Sequence, residues 1–240
     1  VADARRDLWS VYRSEHEVFR AAAFRLRSPT VQTGNFMLKH LAKLFRRNTE
    51  PGADQASSAP PALNNAARAA EGESASIRKE ALARFMGLAT AHLGDDERRR
   101  LMDAMLVSFD TYGNSSEAFE EIALGNEGQK IGQWFVIQCD WKASEEVEWQ
   151  IAEVASSFGI SERWSWKEGV DEQDRTVPAG LCEVADWAAP LGLEMLHIDI
   201  GSDTYYAILI RQDDAESARQ AALSAGMKVL RTPEFEAAHA

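Results

Sequence analysis

The chain has 240 residues, 45% of them hydrophobic, and 26 Lys and Arg against 38 Asp and Glu give it a net charge of −12. That is enough apolar material for one sizeable core, or for a compact domain with an appendage, and it excludes a wholly disordered chain. No apolar run approaches the roughly 20 residues that span a bilayer, and the opening VADARRDLWSVYR lacks the charged and then apolar segments of a secretory signal. The expectation is a cytoplasmic protein without a transmembrane segment.

The charge is unevenly spread. Residues 1–48 carry ten basic side chains and four acidic ones, a balance of +6, which leaves −18 for residues 49–240. Such a body repels nucleic acid and attracts a basic partner at long range. Cys139 and Cys182 are the only cysteines, one in a predicted strand and one in a predicted helix, which suits buried thiols rather than a disulfide.

In chain order, Leu8, Val11, Tyr12, Phe19, Ala22, Ala23 and Leu26 predict a helix over residues 7–26, with Pro29 beyond its end. A second, NFMLKHLAKLFRRN, sets Phe36, Met37, Leu41, Leu44 and Phe45 opposite Lys39, Lys43, Arg46 and Arg47. Together they form a basic helical arm, residues 1–48, whose basic amphipathic pattern suits a membrane surface and equally suits docking of the apolar stripe onto the body or onto a second copy in a homo-oligomer. Residues 49–76 are rich in Ala, Ser, Pro and Gly without a periodic apolar face and read as a flexible linker.

The remainder, residues 77–240, reads as one α+β domain. A helical layer occupies residues 77–125. Ile77, Ala81, Phe85, Leu88 and His92 share one helical face, Leu101, Met105, Phe109 and Tyr112 a second, and Ser115-Ser116 before Glu117 marks a third start. The sheet-containing part, residues 133–231, opens with the strand WFVIQCD and the helix EEVEWQIAEVASSFG, for which Ser144 is the expected N-cap. A strand RWSWKE, a helix PAGLCEVADWAAPLG, a hairpin LEMLHIDI-GSD-TYYAILI, a helix AESARQAALSAG and a strand MKVLR follow. The expected architecture is a mixed sheet partly covered by helices.

No zinc-binding, phosphate-cradling or acyl-transfer motif is present: there is no HExxH, no paired Cys, no GxxxxGK[ST] and no GxSxG. No cofactor is expected. The remaining chemistry is carboxylate chemistry. Asp140 and Asp199 end predicted strands and Asp203 follows Gly201-Ser202, so adjacent strands would gather three acids at one rim. Turn formation explains the same residues, since Asp and Ser beside Gly bond their own backbone.

The segments Asp140-Trp141-Lys142, Ala143 to Gln150, and Asp199 to Tyr205 together resemble those of an uncharacterised bacterial domain-of-unknown-function family with DWK-type and GSDSY-type segments, over roughly residues 77–231. The resemblance implies a fold and a bacterial origin, not an activity. The acidic Gly-Ser-Asp hairpin is more loosely similar to hairpins of bacterial toxin-immunity proteins.

The leading functional expectation is a non-enzymatic immunity protein that neutralises a basic effector or toxin of a secretion system by direct binding. Its expected partner surface comprises Asp140, Trp141, Lys142, Glu145, Glu146, Trp164, Trp166, Asp199, Ser202, Asp203 and Tyr205, aromatic anchors ringed by acids. The alternatives are a cation-dependent hydrolase using Asp140, Asp199 and Asp203, and a regulatory adaptor.

Overall fold

The computed structural model describes residues 61–124, 129–130, 132–167, 171 and 175–239, with side chains from residue 72 onward. The expected arm of residues 1–48, its two helices and its role in oligomerisation lie outside the described residues.

Helix α1 runs from Pro61 to Ala89. Residues 61–76, expected as part of a flexible linker, are therefore helical, and the linker assignment is corrected there. Alanine is the best helix former and proline is tolerated in the first turn, so Ala62, Ala66, Ala67, Ala69 and Ala70 behind Pro61 favour a helix that the missing apolar face conceals. The C-terminal half of α1 meets the core through Leu82, Phe85, Met86 and Ala89.

Helix α2 (Asp95–Tyr112) carries Asp95, Asp96 and Glu97 in its first turn, where the helix dipole favours acids. It ends at Gly113, whose φ of 66° is readily available to glycine and whose N–H closes on Phe109 O. Helix α3 (Ser115–Leu124) is capped by Asn114 rather than by Ser115 or Ser116. The Asn114 Oδ1 accepts the backbone N–H groups of Ser116 (2.8 Å) and Glu117 (3.2 Å). Ser115 instead donates to the carbonyl of Ala225, 110 residues away.

Strand β1 (Val136–Asp140) is followed by α4 (Glu146–Ser157) and, after an irregular stretch, by α5 (Val177–Ala188) and a 3-10 turn at Ala189–Leu191. Then come β2 (Leu193–Asp199), β3 (Thr204–Arg211), α6 (Gln212–Ser224), β4 (Lys228–Arg231) and α7 (Thr232–His239). The protein is thus α+β. Residues 163–167 of the expected strand RWSWKE are in no strand. Trp164 and Trp166 are buried against each other, ring centroids 5.1 Å apart, so packing fixes this segment without ladder hydrogen bonds.

The sheet order is β1-β3-β2-β4 and every pairing is antiparallel, where a mixed sheet was expected. β1 and β2 run the same way but are not neighbours, because hairpin partner β3 lies between them. β3 and β4 are likewise separated by β2. Each helical crossover moves two places in the same lateral direction but starts from an oppositely directed strand, so crossovers of the same hand must cover opposite faces. They do. Val136, Leu196, Ile198, Tyr206, Ile208 and Ile210 face α1, α2, α3 and α6, whereas Ile137, Cys139, Met195, Ala207 and Leu209 face α4, α5 and α7.

The period-two alternation of the strands feeds both layers. On the first face Phe119 packs against Phe85, Phe135 and Tyr206 at 6.0–6.3 Å between centroids. On the second, Trp166 presses so closely on α5 that a Cβ at position 180 would lie 2.7 Å from its Cη2, which accounts for Gly180.

The free edge of β1 is closed by side chains. Gln129 Oε1 accepts the N–H groups of Phe135 and Val136, and its Nε2 donates to Val136 O. Gln150 of α4 treats Gln138 in the same two-way fashion. Unpaired edge groups invite association with another chain, and here they are satisfied from within.

Candidate functional site

At the C-terminal end of β1 the chain makes a tight turn. Asp140 Oδ1 accepts the N–H of Lys142 at 3.0 Å and Asp140 O that of Ala143 at 2.9 Å. Helix α4 then starts through backbone bonds, Glu146 N to Ala143 O and Val147 N to Ser144 O, with no side-chain cap, so Ser144 is not the capping group expected of it.

The β2-β3 hairpin lies beside this turn. Asp199 Oδ1 accepts the N–H of Gly201, whose φ of 75° the turn requires, and Ser202 Oγ accepts that of Thr204 at 3.3 Å. The two segments meet: Trp141 N–H donates to Asp203 O at 3.1 Å, extending the β1-β3 ladder by one bond past Asp140 and Thr204.

This junction forms one wall of an open groove of about 500 Å³. Trp141 and Tyr205 come from the sheet rim. Thr176, Pro178 and Cys182 come from the start of α5, and Glu236 and His239 from α7. Local sequence sets each wall. Thr176 Oγ1 accepts from Ala179 N and Pro178 sits in the first turn, which begins α5 here. Arg231 N–H donates to Glu234 Oε2 at 2.9 Å at the start of α7.

Below the rim the rings are ordered. Tyr205 meets His239 at 5.3 Å and Phe235 at 5.9 Å, both edge to face, and Phe235 stacks on buried His197 at 3.9 Å. His239 Nδ1 lies 2.8 Å from Phe235 O and donates to it. Burial raises the Tyr205 phenol, with Asp203 adding to the effect. Burial likewise raises the Cys182 thiol, assisted by Glu236 and Asp186, so it stays protonated near neutrality. Both cysteines are free thiols, Cys139 buried and Cys182 partly so.

Trp141 is 54% exposed, and the Lys142 ammonium lies 4.5 Å from its ring centroid. Among the described residues Lys142, Asp203 and Glu236 form no salt bridge. A larger hollow, about 690 Å³, lies beside Glu97 on the N-terminal turn of α2, but its charges are internally matched. Glu97 takes bonds from Arg100 and from Lys130, which together hold its carboxyl below the usual range, the Arg100 bond most strongly. The rim groove is the better candidate because its aromatic walls lie beside Glu236 and Asp203, which form no salt bridge among the described residues.

Of the expected partner surface, the structure places Trp141 and Tyr205 in the groove wall, with Asp140, Lys142, Ser202 and Asp203 in the turn and hairpin that meet beside it. Glu145 and Glu146 begin α4, where Glu146 accepts a bond from Gln150 rather than lining the groove. Trp164 and Trp166 are core residues, corrected from surface anchors, because their rings are needed to fill the layer beneath α4 and α5. The expected gathering of Asp140, Asp199 and Asp203 into a cation-holding set is also corrected. β3 separates the two strands, and the pleat sends Asp140 and Asp199 to opposite faces. Asp199 is paired instead with Lys228 at 2.5 Å, which holds its carboxyl below the usual range. No cluster of three or more His, Cys, Asp or Glu able to hold a metal occurs among the described residues.

Helix α5 is expected from the sequence but not as a wall of the site, and α7 is not expected at all. Thr176-Val177-Pro178 is a helix-start signal, and Thr232-Pro233-Glu234 is another that would have placed α7 and its Glu236 and His239.

A family model described as "Domain of unknown function (DUF6630)" matches residues 63–233, well over half of the chain. The chain belongs to this family. The DUF6630 match begins within α1 and so takes in the helix that the expected boundary at residue 77 cut in two. It spans the DWK turn and the GSD hairpin, while most of α7, with Glu236 and His239, follows its end. No curated protein and no solved structure matches the chain. Among the described residues no helix of this DUF6630 protein is long and apolar enough to cross a membrane.

Proposed function

We propose that the domain is a binding protein that captures a basic protein partner at the rim groove and, as an immunity protein, neutralises it by covering its active surface. The observation that carries this reading is the groove itself: an exposed tryptophan and a half-buried tyrosine at the sheet rim, flanked by carboxylates, Asp203 and Glu236, that form no salt bridge among the described residues. Aromatic anchors within a polar rim are the usual energetic centre of protein interfaces. The charge of −18 over residues 49–240 supports fast capture of a basic protein.

The test is affinity capture from the native host with the full chain, wild type and Trp141→Ala combined with Glu236→Lys. The expected result is one basic protein retained by the wild type and lost from the variant, and toxic to cells only when this chain is absent. Failure to retain any partner, or equal retention by the variant, overturns the binding reading. A retained partner that is harmless overturns the immunity part alone.

A further inference from the structure

We propose that the groove's anchor point takes an arginine side chain of the partner, which displaces Lys142 from the face of Trp141. The inference rests on the binding reading above and names the chemistry that occupies the site.

The turn of Asp140 holds Trp141 and Lys142 side by side, and the Trp141–Asp203 backbone bond fixes this turn against the hairpin. The indole face already receives a cation, the Lys142 ammonium at 4.5 Å. That contact is made by a flexible side chain whose ammonium is in no salt bridge among the described residues, so it is replaceable. Around it the charge does not balance. Glu236 lies in the groove and Asp203 on the rim, neither in a salt bridge among the described residues, and Lys142 is the cation on the Trp141 face.

A planar guanidinium stacks on an indole and offers paired N–H donors to a carboxylate, so it satisfies both features at once, whereas an ammonium satisfies them as a point charge. The half-buried Tyr205 ring and Pro178 supply apolar surface for the methylene stem. The upward shifts of the Tyr205 and Cys182 groups, toward which Asp203, Glu236 and Asp186 contribute, agree with a negative potential in the groove.

The experiment titrates the full chain with a blocked hexa-arginine peptide, with hexalysine and hexacitrulline as comparisons, following the Trp141 indole N–H resonance by NMR. Hexa-arginine should shift that resonance saturably, hexalysine more weakly and hexacitrulline not at all. Trp141→Leu, followed on the neighbouring backbone resonances, and Glu236→Gln should each weaken hexa-arginine binding about three- to fivefold. Asp103→Asn, on α2 across the sheet, should leave binding unchanged. Lys142→Ala, which clears the ring face, should strengthen it about twofold.

Binding that ignores Trp141→Leu and Glu236→Gln, or that citrulline matches, or its absence, overturns the proposal. Equal binding of hexalysine removes the guanidinium, and weaker binding by Lys142→Ala removes the displacement. If the native partner is lost from the Trp141 variant while hexa-arginine fails to bind, the groove remains the interface and the arginine anchor falls.

Discussion

Gln150 on α4 is bound to the main chain of Gln138 in both directions: its Oε1 accepts the Gln138 N–H at 2.7 Å and its Nε2 donates to Gln138 O at 2.5 Å. The side chain is 1% exposed and stands where a neighbouring strand would otherwise supply the same two bonds. A helix residue thus imitates a strand and anchors α4 to the edge of the sheet.

Replacing Gln150 by Ala therefore strands a buried donor and a buried acceptor. The expected loss is about 2–4 kcal/mol in denaturant unfolding, with faster hydrogen exchange at the Gln138 amide. An unchanged unfolding midpoint would show that water or another group takes over both bonds.

Gly180→Ala places a methyl group against the Trp166 ring, a clash of rigid parts at 2.7 Å. Destabilisation of about 1–3 kcal/mol is expected, read as a lower melting temperature together with altered near-ultraviolet circular dichroism from the tryptophans.

The tryptophans should separate into two classes. Trp166→Ala empties part of the core and should cost about 3–5 kcal/mol, whereas Trp141→Ala, at the exposed rim, should stay within about 0.5 kcal/mol of wild type. Comparable losses for both in thermal or chemical unfolding would contradict the division between core and rim.

Acid should weaken the fold before its carboxylates titrate. Burial, reinforced by His239, holds the His197 imidazole down to about 3, against an ordinary value near 6.5 for the unfolded chain. Between those values the unfolded state binds the extra proton. This contribution is therefore complete above about pH 6.5 and declines as pH falls, approaching about 1.4 kcal/mol per pH unit. Burial also lowers His92, which acts in the same direction. Glu97 and Asp199 are held below the ordinary carboxylate range, so their contributions persist through this window and are lost at lower pH. Urea unfolding at pH 7, 6 and 5 should show the decline, and His197→Phe should flatten it by about one proton.

Much of the architecture was legible because local pattern and final environment agree. Val147, Ile151 and Val154 recur at helical spacing and are the buried stripe of α4, and LEMLHIDI with TYYAILI forms the hairpin of β2 and β3. RWSWKE misled because alternating tryptophans fit a strand and equally a buried extended segment. The first half of α1 was concealed by having no apolar face to advertise. The rim was half visible: Asp140 to Lys142 and Gly201 to Asp203 carry turn chemistry that reads directly, but their meeting depends on β3 inserting beside β1. Glu236 and His239 reach the same groove from nearly a hundred residues later, a closeness that only the folded chain creates. Gln150 reads as an ordinary helix residue until the edge it seals is known.

The strand order β1-β3-β2-β4 interleaves the two crossovers, each of which leaves a one-strand gap filled by the other. Neither β1 to β2 nor β3 to β4 can build a continuous sheet alone, and each would leave its central strands with bare main chain on the inner side. The sheet is indivisible in that sense: cutting the chain within the β2-β3 hairpin leaves neither part with two adjacent strands, and the rim groove, assembled from both portions, exists only after the last strand and its trailing helix have been added.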